Sequence, residues 1–338
     1  MAIKLRKFTY LILKKIIKLM DYDTIIILSF CSTKTRELIK LTRWKVSTMI
    51  YTPVNSYIVM HIKEVNLNKQ STIIMVSVPQ FYSGSETFKL PNSMQTFGLF
   101  KISKNDEFAI QVLKGFRDTA ILSLHKYIMD LFLAPPDIKL QITSDTDLNS
   151  IILFDNTKSC GLFGETTYAN YADQLFSKFE NLQEAVVEPF VIGSLKENTI
   201  LSRTKCLYFC HAGVHTESLM LHFEGYHAVF RNSECDISVV QELLDKWIRN
   251  EAFCELKSVT ILLRSLCQFQ ITEFHNDFDA KSFDSLRRPA IYDKLTDIMG
   301  ITLEPLECTD FLDIVRLSDG RVGSYKLTPK YFQFCVWD

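Results

Sequence analysis

Glycine and proline are scarce, 11 and 9 residues in 338, and no stretch concentrates them with serine. Flexible Gly/Ser or Pro-rich linkers are therefore excluded, and any domains are expected to follow one another directly. The glycines also never fall into a phosphate-cradling arrangement, because Gly161 and Gly164 are followed by neither a third glycine nor the lysine of a nucleotide-binding loop. Long apolar runs are missing too. The first 20 residues open with a basic flank, but the apolar run from Phe8 stops at Lys14-Lys15, too short for a span, so neither secretion nor membrane insertion is expected. Cysteine is present, yet a disulfide framework is not: the nine cysteines are odd in number, scattered and mostly set in apolar runs. They read as reduced, buried thiols of an intracellular protein, in cytoplasm or nucleus.

What is present is ordinary for a globular chain, with 47% hydrophobic and 23% charged residues. The charge is unevenly spread. Residues 1–45 hold 11 Lys and Arg against three acids, a net of about +8, and the remainder holds 27 against 36, about −9. A basic segment of this kind suits nucleic acid, anionic lipid or an acidic protein, or simply presents a solvated lysine face. Within it Phe8, Leu11, Ile12, Ile16 and Leu19 fall on one face of a helix, with Lys14, Lys15 and Lys18 on the other. The next stretch, 24–31, is apolar on every side, so a second helix there has to be covered twice. Ser32-Thr33 can cap a third helix over 34–41. Three helices in about 35 residues fall below the roughly 40 at which domains usually fold unaided, so another surface has to cover them.

These residues resemble a family. The run Phe8-Thr9-Tyr10-Leu11-Ile12-Leu13-Lys14-Lys15-Ile16-Ile17-Lys18-Leu19-Met20-Asp21, followed by Leu28-Ser29-Phe30-Cys31-Ser32-Thr33-Lys34-Thr35, resembles the F-box of nematode F-box proteins. It departs from the pattern at Phe8-Thr9, where the family has Leu-Pro, and at Tyr22, where it has proline. Far along the chain, Leu312-Asp313-Ile314-Val315-Arg316-Leu317-Ser318-Asp319-Gly320-Arg321-Val322 and Phe332-Gln333-Phe334-Cys335-Val336-Trp337 look like the close of a type 2 F-box-associated domain, with residues 236–247 and 255–261 resembling its core.

Beyond residue 43 the periodicity becomes strand-like. Segments 44–51, 56–65, 71–78, 97–102 and 107–113 are rich in β-branched and aromatic residues, which predicts a small, mainly antiparallel sheet, with the polar interval 80–96 as a loop. Helices and strands then alternate, 119–133 before 138–143, 170–179 before 185–187 and 237–248 before 256–263. The repetition is irregular and predicts a degenerate leucine-rich-repeat-like stack. Strands 311–317 and 322–327 flank Ser318-Asp319-Gly320-Arg321, where Asp-Gly supplies the positive φ of a hairpin, and 331–337 adds a third strand. The interval 274–289, with Asp277, Asp279, Lys281, Asp284, Arg287 and Arg288, reads as an exposed loop.

The chemistry-bearing clusters are few. Cys206-x3-Cys210-His211-x3-His215 places four metal-type ligands close together, but zinc sites pair C-x2-C or C-x4-C with a distant second pair, and residues 206 and 210 share one face of a strand. No metal and no cofactor are expected. No signature frames a Cys and His pair for nucleophilic catalysis, so no enzymatic activity is expected either. Basic residues next to aromatics, as in Arg43-Trp44-Lys45, are too sparse for a nucleic-acid surface, and Arg321 reads as turn chemistry.

The fold expected is α+β, with an N-terminal three-helix F-box over 1–43. It is followed by a mixed α/β body over 44–338 with antiparallel strands and leucine-rich-repeat-like units, whose F-box-associated core spans about 200–265. The resemblance implies a substrate receptor of a cullin-based ubiquitin ligase, docked on an acidic Skp-type adaptor and, through it, on a cullin. The adaptor-facing residues it implies are Phe8, Thr9, Leu13, Ile16, Ile17, Leu28 and Cys31, and the body would present a protein substrate. The alternative is a non-catalytic scaffold whose basic N-terminal helices bind nucleic acid or another polyanion.

Overall fold

The computed structural model describes residues 9–44, 46–54, 57–64, 70–91, 93–102, 108–132, 136–272, 274, 278–295 and 297–337. It is α+β, with seven α-helices among the described residues, three of them N-terminal, and mixed sheets. The chain divides into two compact units, residues 1–141 with 149–157, and residues 142–148 with 158–338. The charge asymmetry follows the same division. The first unit carries 20 Lys and Arg against 11 acids, about +9, and the second 18 against 28, about −10. No helix among the described residues is long and apolar enough to cross a membrane.

In the first unit, α1 (Tyr10–Lys18), α2 (Tyr22–Phe30) and α3 (Thr33–Leu41) precede strands β1 (Val46–Val54), β2 (Tyr57–Glu64), β3 (Gln70–Val78), β4 (Glu86–Lys89), β5 (Thr96–Lys101) and β6 (Phe108–Leu113). Helix α4 (Arg117–Leu131) and strand β7 (Asp137–Thr143), of which the first five residues lie in this unit, complete it. The strand order is β7-β1-β2-β3-β6-β5-β4, antiparallel except where β1 meets β7 and β3 meets β6. Alternation puts Met49, Tyr51, Met60, Ile62, Ile73, Met75, Ile110 and Val112 on one buried face.

Helix α2 meets this sheet, and the double cover that its all-round apolarity requires comes from the chain itself. Tyr22, Ile25, Ile26 and Ser29 are buried, each large apolar side chain contributing about 1.5–3 kcal/mol. The Tyr22 backbone N–H donates to Ser71 Oγ at 3.0 Å on β3, and Tyr127 Oη of α4 donates to Ser29 O and Oγ at 3.0 and 2.9 Å. Phe30 also stacks on Phe88 of β4, centroids 4.3 Å apart. The helices expected to form a separate module over 1–43 therefore share a compact unit with the sheet. The interval 80–96, expected as loop, contains β4, because Phe88 has both Phe30 and Phe97 to stack on.

The second unit is built from β8 (Thr157–Phe163), β9 (Thr166–Tyr168), α5 (Ala169–Phe176), β10 (Glu184–Val187), β11 (Phe190–Ile192), β12 (Cys206–Phe209), α6 (His215–Leu221), β13 (His227–Ser233), α7 (Ile237–Arg249) and β14 (Ser258–Leu263). Strands β8, β10, β12, β13 and β14 lie side by side and parallel. One face, Leu162, Ala185, Val187, Leu207, Phe209, Ala228, Phe230, Val259 and Ile261, is fully buried. On the other, Val186, Tyr208 and Val229 are covered by Ile298 and Met299. The helix–strand unit recurs more often than its sequence pattern shows, since α6 followed by β13 is an additional copy. Asp236 caps α7 by accepting from Ser238 N at 2.9 Å, and Asn250 closes it in a left-handed conformation at φ 60°.

Four short or hairpin strands and two longer ones finish the chain, β15 (Lys281–Ser282), β16 (Ile291–Tyr292), β17 (Leu306–Glu307), β18 (Leu312–Val315), β19 (Val322–Leu327) and β20 (Tyr331–Val336). The order β15-β18-β19-β20-β14 is antiparallel throughout. Gly323 is required where it stands, since a Cβ there would meet Phe334 at 2.6 Å and Trp247 at 2.8 Å. The interval 274–289, expected as an exposed loop, is largely exposed among its described residues, Asp277 lying outside them, but Phe274 and Arg288 are buried and the two-residue β15 pairs with β18.

Each unit also buries a histidine. His125 Nδ1 lies 2.8 Å from Tyr51 Oη in the first, and His227 Nδ1 lies 2.8 Å from Ser258 Oγ in the second. Burial lowers both to about 4, with Lys257 adding to the effect at His227. The folded pKa lies below the unfolded value of about 6.5, so the unfolded chain binds more protons and stability is lost as pH falls from about 6.5 towards 4. At pH 5 each histidine is expected to cost its unit about 2 kcal/mol relative to pH 8. Melting curves at the two pH values check this, and His227→Gln should remove much of the second unit's share.

Candidate functional site

Helix α1 begins at Thr9, whose backbone is extended as an N-cap requires, but whose exposed side chain accepts no capping bond. Its last turn carries Lys15 and Lys18, where cations favour the helix dipole. Apolar residues occupy two sides of this helix. Leu13 and Ile17, one turn apart, are 8% and 1% exposed and belong to the unit's own core. Leu11 and Leu19 are 71% and 81% exposed, Ile12 is also exposed and Ile16 half-buried. The sequence periodicity singled out Leu11, Ile12, Ile16 and Leu19 as the packed face, and the structure makes it mostly the solvent face.

The expected adaptor residues therefore separate. Leu13 and Ile17 are turned inward, buried on a helix that packs on α3. Thr9 and Cys31 are exposed, and Ile16 and Leu28 are half-buried. Phe8 lies outside the described residues. Leu11, Ile12 and Leu19, which the resemblance did not name as adaptor-facing although the spacing had placed all three on one face, are the apolar residues the structure leaves exposed. Together they form an exposed apolar stripe interrupted by Lys15 and flanked by Lys18.

Two of the three cations of α3, Arg36 and Lys40, are used internally. Ser32 Oγ caps this helix by accepting from Thr35 N at 3.1 Å, as its sequence suggests. Arg36 and Lys40 both bind Asp130 of α4, the latter at 2.8 Å. Partial burial works against the Asp130 carboxylate, but hydrogen bonds from Lys40 and Arg36 hold its pKa below the ordinary value. The exposed basic side chains of residues 9–44 are then Lys15, Lys18, Lys34 and Arg43.

In the second unit the candidate ligand run 206–215 diverges. Cys206 and Cys210 share the helix-free face of β12 and pack on Val186, Tyr208 and Val229, while burial and then Glu188 push the Cys210 thiol up. His215, the first residue of α6, lies with Nε2 3.2 Å from Val191 O. His211 faces elsewhere, stacked on Phe190. Among the described residues no group of three His, Cys, Asp or Glu is placed to hold a metal ion. At the hairpin, Gly320 takes φ +72°. Arg316 binds Asp319 bidentately at 3.0 and 2.6 Å, holding that carboxyl near 2, and Arg321 Nε lies 3.4 Å from the same group. No family model, curated protein or solved structure matches this chain.

Proposed function

We propose that the chain is the substrate-recognition subunit of a cullin-based ubiquitin ligase. Its N-terminal helices dock on a Skp-type adaptor, its second unit holds a protein substrate, and catalysis belongs to other subunits. The observation that carries this reading is the exposed Leu11, Ile12 and Leu19 stripe with Lys15 and Lys18 on α1. Exposed leucines of this size in a row are characteristic of interaction surfaces, and the lysines around them suit an acidic partner. The order of three short helices, with Ser32 capping the third, agrees with the F-box resemblance. Successive parallel strands with returning helices agree with a degenerate leucine-rich-repeat-like body and the associated-domain core at about 200–265. Such a receptor works in cytoplasm or nucleus.

The polyanion alternative draws on the charge of the first unit, but Arg36 and Lys40 are committed to Asp130 and the exposed lysines are interleaved with leucines. Titration of a purified Skp-type adaptor and of a duplex oligonucleotide, each at 50 and 500 mM salt, separates the two. Adaptor affinity in the micromolar range or tighter, changing only a few-fold with salt, is expected, because an apolar interface is little screened. Absence of adaptor binding, with oligonucleotide affinity falling about a thousandfold or more, overturns the proposal.

A further inference from the structure

The parallel strands of the second unit end in a groove. Two adjoining hollows of about 490 and 620 Å³ share Phe190 and His211. They lie at the carboxyl ends of β8, β10, β12 and β13, the place where open parallel sheets bind ligands. The rings of Phe190 and His211 stack at 3.9 Å and 20°. Asn232 Nδ2 donates to Cys210 O at 3.0 Å and lies 3.1 Å from His211 Nδ1, so Nδ1 accepts and the imidazole keeps its proton on Nε2. The stack is thus a fixed wall between the hollows.

Around it, apolar surface and negative charge occur together. Phe190 is 54% and Val214 66% exposed. Strands β9 and β11 pair in parallel, Phe190 with Thr166 and Ile192 with Tyr168, and alternation puts Phe190 beside Ile192 and Thr166 beside Tyr168 on one side. Tyr168 and Ile192 are exposed as well. The groove itself carries Glu165, Glu188 and Glu234, and its cation, Arg264, is bound to Glu234 at 2.6 Å. The whole unit is about −10.

We infer that this groove binds a protein segment that presents an aliphatic or aromatic side chain beside Lys or Arg. The apolar side chain lies against Phe190 and Val214, and the cation meets Glu188 and Glu165. Acidic or polyanionic partners are repelled by the same charges. That the bound segment is a ubiquitination substrate rests on the ligase reading; the peptide chemistry does not.

The full chain, without adaptor, is titrated against two fluorescein-labelled peptide pools by anisotropy. In one pool Lys or Arg flanks a randomised aliphatic or aromatic residue, and in the other every Lys or Arg is replaced by Asp or Glu. The basic pool is expected to bind at tens of micromolar and to weaken with salt, the acidic pool not to bind. Phe190→Ala and Glu188→Lys should each weaken the basic pool about tenfold or more. Glu180→Lys, the same charge change at an exposed site of the same unit outside the groove, should not. Equal binding of both pools, binding of neither, equal loss in Glu188→Lys and Glu180→Lys, or wild type that dimerises where Phe190→Ala stays monomeric each overturns the inference. Adaptor titration on the same preparations reads the ligase proposal separately.

Discussion

Replacing Asp313 with alanine should destabilise the second unit by about 3–5 kcal/mol, the largest single effect expected in this protein. Arg288 Nε lies 2.7 Å from Asp313 Oδ1, and the two side chains are essentially inaccessible to solvent. Ser324 Oγ donates to the same carboxylate at 2.6 Å, Trp337 Nε1 donates to Ser324 Oγ at 2.7 Å, and Arg288 Nη2 donates to Cys308 O at 2.8 Å. The guanidinium also lies over the rings of Phe283 and Trp337. Removing Asp313 strands a buried cation and frees Ser324 at once.

The cost comes mainly from the stranded charge rather than from the lost attraction, since desolvation already offsets much of the pairing. The double variant Arg288→Met, Asp313→Ala should therefore be markedly more stable than either Asp313→Ala or Arg288→Met alone. For a unit of this size the single variants should melt lower by roughly 6–20 °C. Thermal unfolding of the four chains forms the cycle. Additive losses in the double variant would show that the two side chains act independently and that the pairing argument fails.

The second large effect concerns α1 and separates its two faces. Leu11→Asp and Leu19→Asp place a carboxylate on exposed surface, so the fold should change by no more than about 0.5 kcal/mol. In the adaptor complex the same carboxylate would be buried without a partner, costing several kcal/mol, enough for at least about a hundredfold loss of affinity. Ile17→Asp should do the reverse and destabilise the first unit itself, because Ile17 is in its core. Adaptor titrations paired with melting curves decide it. Leu11→Asp and Leu19→Asp binding like wild type, while Ile17→Asp melts low, would mean the stripe is not the docking surface.

Local features of the chain were legible before its structure. Apolar spacing located α1, α2, α4 and α7, and β-branched runs located β1, β2, β3, β6 and β14 to within a few residues. Ser32 caps α3, Asp236 opens α7 and Gly320 turns the last hairpin. These signals read correctly because caps, turns and helix faces are set by residues one to four positions apart. Strand β4 was not legible, as its apolar residue, Phe88, is held by Phe30 and Phe97 from elsewhere in the chain.

What only the tertiary structure decided is which of two compatible environments a residue enters. Helix α1 has apolar residues on both sides, and nothing within it says that Leu13 and Ile17 go inward while Leu11 and Leu19 remain in solvent. Arg288 sits in a charged, loop-like stretch, yet it is buried because Asp313, 25 positions away, reaches it. The groove wall joins Phe190 to His211, and its acidic rim takes Glu165, Glu188 and Glu234 from the ends of different strands. Periodicity fixes the direction of a side chain relative to its own element, whereas burial depends on what the rest of the chain brings against it.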